Sequence, residues 1–105
     1  MDSYQVEIDN QAKREIRELH GHMRQRVIRS IRDLRTQPRP PESRELDLLA
    51  AGLKLDAGMS LHRIKIDAWR IIYVIEEEWQ VITVLAVRRR PPYQYSDLGE
   101  LLPEG

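Results

Sequence analysis

A chain of 105 residues, 41% of them hydrophobic and 32% charged, has the balance of a folded soluble protein rather than a disordered one, and its length suits one small domain over residues 1–105. With no cysteine it can hold neither a disulfide framework nor a thiolate metal site, so a reducing cytoplasm is the economical location. The 17 basic and 17 acidic residues cancel, and net charge alone argues against a nucleic-acid binder. The distribution argues differently: eight basic residues face three acidic ones between Ala12 and Arg35, and Arg88, Arg89 and Arg90 are consecutive. The opening MDSYQVEID lacks the basic-then-apolar pattern of a signal peptide, and no apolar run approaches membrane-spanning length, so neither secretion nor membrane insertion is expected.

In chain order, Tyr4, Val6 and Ile8 alternate with Gln5, Glu7 and Asp9, which predicts a short half-buried strand. Asp9 or Asn10 then caps a helix whose apolar face is Ala12, Ile16 and Leu19. Gly21 is expected to break it, with His20-Gly21-His22 as the link to a second helix carrying Met23, Val27, Ile31 and Leu34 on one stripe. The prolines of Thr36 to Pro41 end that helix. Between Glu42 and Met59 the leucines fit a strand near Leu46 and an irregular segment after it.

From Leu61 the pattern sharpens. Leu61, Arg63 and Lys65 point to one face of a strand, and His62, Ile64 and Ile66 to the other. Asp67-Ala68 turns the chain into Trp69 to Ile75, a nearly unbroken β-branched and aromatic run suited to a strand buried on both faces, interrupted by Arg70. Glu76 to Glu78 turns again into Val81 to Val87, and Pro91-Pro92 stiffens the tail beyond. Ser96 to Leu102 reads as a last helical turn or as a loose chain end. The expected fold is α+β: a small antiparallel-rich sheet of about four strands with an N-terminal αα-hairpin on one face, in the order β-α-α-β-β-β.

The sheet face away from the helices is expected to be uncovered and to collect Arg63, Lys65, Arg70, the Arg88-Arg89-Arg90 run and Tyr93, with Tyr95 nearby. Guanidinium forks suit phosphate, and tyrosine adds a stacking surface and a hydroxyl. RNA cleavage without a metal needs a group to take the 2′-hydroxyl proton, cations for the phosphorane-like transition state and a donor to the leaving 5′-oxygen. The cluster meets the second need; for the other two the titrating candidates are His62, Tyr93, Tyr95, Lys65 and Asp67.

The run RIKIDAWRIIYVI followed by VLAVRRRPPY resembles the signature of the RelE/ParE superfamily of toxins from type II toxin–antitoxin systems, closer to the RelE branch. The Tyr4-to-Ile8 strand, the helical hairpin and the proline turn at Pro38 to Pro40 match it too. Two positions depart from the pattern: Ala68 stands where the family carries glycine, and arginine stands where some relatives have a third-strand histidine. The resemblance implies a metal-independent, cofactor-free endoribonuclease that cuts mRNA on the ribosome and is silenced by a cognate antitoxin. By position it implies catalytic roles for Arg63, Lys65, Arg70, Arg90 and Tyr93, with Lys65 as general base, and RNA-binding roles for Arg88, Arg89 and Tyr95, which is also an alternative to Tyr93. It leaves two other readings open: a ParE-like toxin that binds and inhibits DNA gyrase, and a binding module without activity.

The same residues have plainer readings. Arg70 would then pair with a helix acid, Arg88 to Arg90 would be a solvated strand end, and Tyr93 and Tyr95 would pack the tail. His62 reads as a satisfied core histidine, His20 and His22 as loop residues without the further ligand a metal wants, and Trp69 and Trp79 as packing residues.

Overall fold

The computed structural model describes residues 3–47 and 55–89, so the readings made for Leu48, Leu49, Leu53 and the tail beyond Arg89 lie outside the described residues. Strand β1, Gln5–Ile8, leads into helices α1, Asn10–Arg17, and α2, Gly21–Asp33, and then into β2, Ser43–Glu45, β3, Met59–Ile66, β4, Trp69–Glu76, and β5, Val81–Arg89. The strands form one five-stranded sheet in the order β1-β5-β4-β3-β2. Only β1 is parallel to its neighbour: the helical hairpin carries the chain to the opposite edge of the sheet, where β2 enters beside β3, and the antiparallel run β3-β4-β5 then returns to lie beside β1. The α+β class and the hairpin are as expected; the sheet has five strands rather than about four, the fifth being β2, paired antiparallel to β3 and lying just before Leu46, near which the sequence predicts a strand.

The helices follow from local chemistry. Asp9 is the N-cap of α1 and its carboxylate accepts from the Gln11 N–H at 3.0 Å. The break between the helices is not at Gly21: α1 stops at Arg17 and Gly21 opens α2. What closes α1 is Arg24 of α2, whose guanidinium donates to the carbonyls of Ile16, Arg17 and Leu19 at 3.3, 2.9 and 2.6 Å. The Ile16 carbonyl also accepts from the Leu19 N–H at 3.1 Å, and a cation reaching back from the next helix adds bonds to the carbonyls that the end of α1 and the turn after it leave exposed.

The core has two layers because β4 is buried on both faces. Ala12, Ile16, Leu19, Val27, Ile31 and Leu34 of the hairpin pack on Ile64, Ile66, Ile71, Tyr73, Ile75, Ile82, Val84 and Val87. On the other face Leu61, Ile72, Val74, Leu85 and Ala86 form a second cluster, against which Leu46, Leu55 and Met59 pack. This corrects the expectation of an uncovered face: its middle is closed, and only the end toward the β3–β4 turn carries the cations. The physical reason is that buried Ile72, Val74 and Leu85 would otherwise leave a large apolar patch in water.

At the opposite end of the sheet the loop after α2 is tied down by side chains. Tyr73 is fully buried and its hydroxyl donates to the Pro38 carbonyl at 2.7 Å. Glu77 accepts from the Tyr4 hydroxyl at 2.8 Å and pairs with Arg39, and these two bonds hold its carboxyl below the ordinary range. Trp69 is half-buried against the helix-side core, but Trp79 in the β4–β5 turn is 75% exposed and is not a packing residue.

Candidate functional site

The cationic end of the sheet is built by register. Lys65 of β3 stands directly opposite Arg70 of β4, and Arg70 stands directly opposite Arg88 of β5, so three cations from three strands occupy one row. Side chains in such positions sit about 4.5–5.5 Å apart at Cβ, and like charges there repel. Arg63 lies on the same face one pleat along, opposite Arg44 of β2, and its guanidinium donates to the Glu42 carbonyl at 3.2 Å.

A β-bulge sets which residue of β5 joins the row. Ile72 pairs with Ala86 and Tyr73 with Val84, so Leu85 is the extra residue and the register shifts by one between Ile72 and Tyr73. Without that shift Val87 would face Arg70 and Arg88 would turn toward the helices. The bulge re-aims the arginine, a common use of bulges near functional surfaces.

Arg70 is the most buried of the set at 5% exposure. Its Nη1 donates to the carbonyls of Asp67 and Trp69 at 3.0 and 2.9 Å. Among the described residues it has no carboxylate partner, so the reading that pairs it with a helix acid is not met. The turn that supplies its acceptors is held by Asp67, at φ +52°, whose carboxylate pairs with Arg26 of α2 at 2.6 Å. Asp67 is thereby a structural carboxylate joining the turn to the helix. Lys65 is exposed and borders a cleft of about 460 Å³ whose walls include Arg26, Ser30, Asp33, Glu42 and Asp67.

Arg88 does meet a helix acid: its Nε lies 3.4 Å from Glu15 Oε2, with 16% and 18% of the two side chains exposed. Arg89, opposite Trp69, is exposed at the end of β5. Of the expected site residues, then, Arg63, Lys65, Arg70 and Arg88 share one face and Arg89 adjoins them, whereas Arg90, Tyr93 and Tyr95 lie outside the described residues. Sequence reasoning missed Arg44 and Glu15. The signal for Arg44 would have been a short strand in Ser43–Glu45, too polar to show alternation; Glu15 beside the Ala12–Ile16–Leu19 stripe offers no local sign that it reaches a strand 72 residues away.

His62 is a core residue, 2% exposed, stacked on Tyr73 at 5.4 Å and within 2.6 Å of the Ser60 hydroxyl. It faces the helices, away from the row. Burial, followed by the nearby Arg39 charge, pushes its pKa below the ordinary 6.5. His20 and His22 are exposed, and among the described residues no three His, Cys, Asp or Glu side chains gather as metal ligands. No described helix is long and apolar enough to cross a membrane.

Residues 6–91 match the family model described as the ParE toxin of type II toxin–antitoxin system, parDE. No curated protein sequence matches the chain. Several solved structures share its fold. The archaeal RelE–RelB complex from Pyrococcus horikoshii OT3 is 22% identical with a TM-score of 0.72, over 89% of this chain and 100% of that one. The toxin–antitoxin complex RelBE2 from Mycobacterium tuberculosis is 21% identical with a TM-score of 0.64, over 84% and 99% of the two chains. The isolated E. coli RelE toxin is 20% identical with a TM-score of 0.61, over 86% and 87%. At such identities the likeness is one of fold: two helices packed on a five-stranded, mostly antiparallel sheet.

Proposed function

The chain belongs to the ParE toxin family of type II toxin–antitoxin systems, within the RelE/ParE superfamily, and on that premise we propose that it is a metal-independent endoribonuclease that cuts mRNA on the ribosome. The observation that carries this reading is the Lys65–Arg70–Arg88 row. Two like-charged cross-strand pairs cost the fold about 0.2–1 kcal/mol each, and a polyanion laid along them reverses the sign of that term. An RNA backbone supplies phosphates at the spacing of a single strand, and arginine meets each with a planar fork.

The chemistry follows from what the row offers. The 2′-oxygen attacks phosphorus, the bond to the 5′-oxygen breaks, and the products are a 2′,3′-cyclic phosphate and a 5′-hydroxyl. Arg70 is held by two carbonyls and shielded from water, so its charge acts on the phosphorane at low local dielectric and needs little reorganisation. Arg63 and Arg88 hold the adjoining backbone. Lys65, the exposed member, is the proposed general base: as the free amine its Nζ takes the 2′-hydroxyl proton, and the ammonium so formed completes the cationic row facing the phosphorane. Arg90 and Tyr93 are the proposed partners of the departing 5′-oxygen, Tyr93 returning a proton to it, while Arg89 and Tyr95 bind the flanking strand. The toxin acts in the cytoplasm, where its message is, and a cognate antitoxin restrains it, as antitoxins accompany the toxins in the P. horikoshii and M. tuberculosis complexes.

A second reading is favoured by the family match itself, whose description names ParE: binding and inhibition of DNA gyrase without nuclease chemistry. Mapping mRNA 5′ ends after the chain is expressed alone separates the two. New ends inside translated codons are expected; intact messages together with induced DNA damage would establish the gyrase reading instead.

A further inference from the structure

Glu15 stands on α1 at the sheet edge where β1 has already ended. The last bond from the end of β1 to β5 is from the Asp9 N–H to the Val84 carbonyl at 2.9 Å, and among the described residues no strand runs beside Val87 on the side away from β4. The Val87 N–H instead donates to Glu15 Oε1 at 2.9 Å, so a side chain occupies the place of the missing strand. The other oxygen, Oε2, accepts from Arg88 Nε and from Gln11 Nε2, both at 3.4 Å. One carboxylate therefore grips the backbone of β5 just past the bulge and the side chain that follows. Most of both side chains is withdrawn from solvent, so the pair escapes much of the screening that weakens surface ion pairs.

We propose that Glu15 is a positioning residue for the cationic row: it fixes the direction of the Arg88 guanidinium against Arg70 and the bound phosphate. The proposal rests on the ribonuclease reading above. An arginine side chain has several rotatable bonds, and contact through Nε, beside the stem, orients the whole planar fork. The anchor is itself rigid, because Glu15 is tied to the Val87 backbone. The single negative charge also tempers repulsion between Arg88 and Arg70 without touching Arg70. Glu15 thus supplies geometry to the transition state and little to ground-state attraction, which as an anion it slightly opposes.

Glu15→Gln tests this, because glutamine keeps a side-chain oxygen for the Val87 N–H and removes the charge. With a short message presented on ribosomes, kcat should fall about tenfold, less than the roughly 100-fold that a misplacement of about 1 Å can cost because glutamine keeps the Val87 bond, while KM changes by less than about twofold. The melting temperature should fall by only a few degrees, because glutamine keeps the Val87 bond and an oxygen beside Arg88. Arg88→Ala should lower kcat as well, and the double variant should be no worse than Arg88→Ala alone, because Glu15 acts through that arginine. Wild-type kcat in Glu15→Gln, losses that multiply in the double variant, or a kcat loss that merely follows a fall in melting temperature would overturn the proposal. Should the wild-type chain bind the message without cutting it, the ribonuclease reading fails alone. The same cycle is then read from Kd for a 2′-deoxy-substituted message, where non-additivity upholds the positioning role and additivity overturns it. A wild-type chain that binds no message sinks both.

Discussion

Replacing Arg70 by methionine separates an arginine kept for a ligand from one kept for the fold. Methionine matches much of the buried stem and fills irregular space well. It removes the middle of the row, and with it two like-charged cross-strand contacts, to Lys65 and to Arg88, worth about 0.4–2 kcal/mol together. It also loses the charge-assisted bonding of one nitrogen, Nη1, to the Asp67 and Trp69 carbonyls, a loss of about 1.5–3 kcal/mol. The two effects largely cancel, leaving a net destabilisation of roughly 1 kcal/mol, or a fall in melting temperature of about 4–8 °C for a chain of this size. Had Arg70 been half of a buried salt bridge, breaking it would cost about 3–5 kcal/mol. Cleavage, by contrast, should drop by about 10²–10³-fold, the cost of removing one preorganised donor from a transition state. Urea unfolding followed by circular dichroism, run beside single-turnover cleavage, measures both. A stability loss of several kcal/mol, or a methionine variant that cleaves at the wild-type rate, would refute the reasoning.

Tyr73→Phe should destabilise the chain by about 1–2 kcal/mol at neutral pH, because the Pro38 carbonyl loses its donor inside the fold. Burial raises the Tyr73 hydroxyl to about 12, so the folded chain prefers the neutral phenol; that contribution is complete below pH 10 and disappears as pH climbs toward 12. Unfolding midpoints across the alkaline range should therefore fall in the wild type and fall less in Tyr73→Phe. His62 has the opposite dependence. Its lowered pKa means the fold favours the neutral ring, a contribution present above pH 6.5 and lost as pH drops through the folded-state value, so stability should decline with acidification. His62→Gln should flatten that decline in a pH series of urea melts, and an unchanged slope would show that other groups govern it.

Much of the architecture was legible because it is written in local periodicities. The alternation of Tyr4, Val6 and Ile8, the Asp9 cap, the Val27–Ile31–Leu34 stripe and the two-sided burial of Trp69 to Ile75 each need only a few neighbouring residues to be recognised. What was illegible depends on distant partners. The sequence predicts a strand near Leu46, but its bounds at Ser43–Glu45, polar and three residues long, are set by the ladder that β3 offers. Gly21 looked like a break, yet α1 ends where Arg24 arrives to cap it, an interaction that exists only once the second helix has folded back. Trp79 is large and apolar, but its turn carries it clear of both core layers.

At the candidate site the division is sharp. Alternation alone put Arg63 and Lys65 on one side of their strand, with Arg70 beside them in the next, since the period of two is a property of the extended backbone and needs no partner. Whether Arg88 joined them could not be read that way. A slip of one residue turns every side chain of a strand over, and here the slip is a real one, the bulge at Leu85, stabilised by the pairing of β5 with β4 and visible only when the two strands meet. The closing of the face by Leu46, Leu55 and Met59, and the arrival of Glu15 at the β5 edge, belong to the same class of event. The residue types and their faces come from the chain; the row they make comes from register, which is decided between strands and not within one.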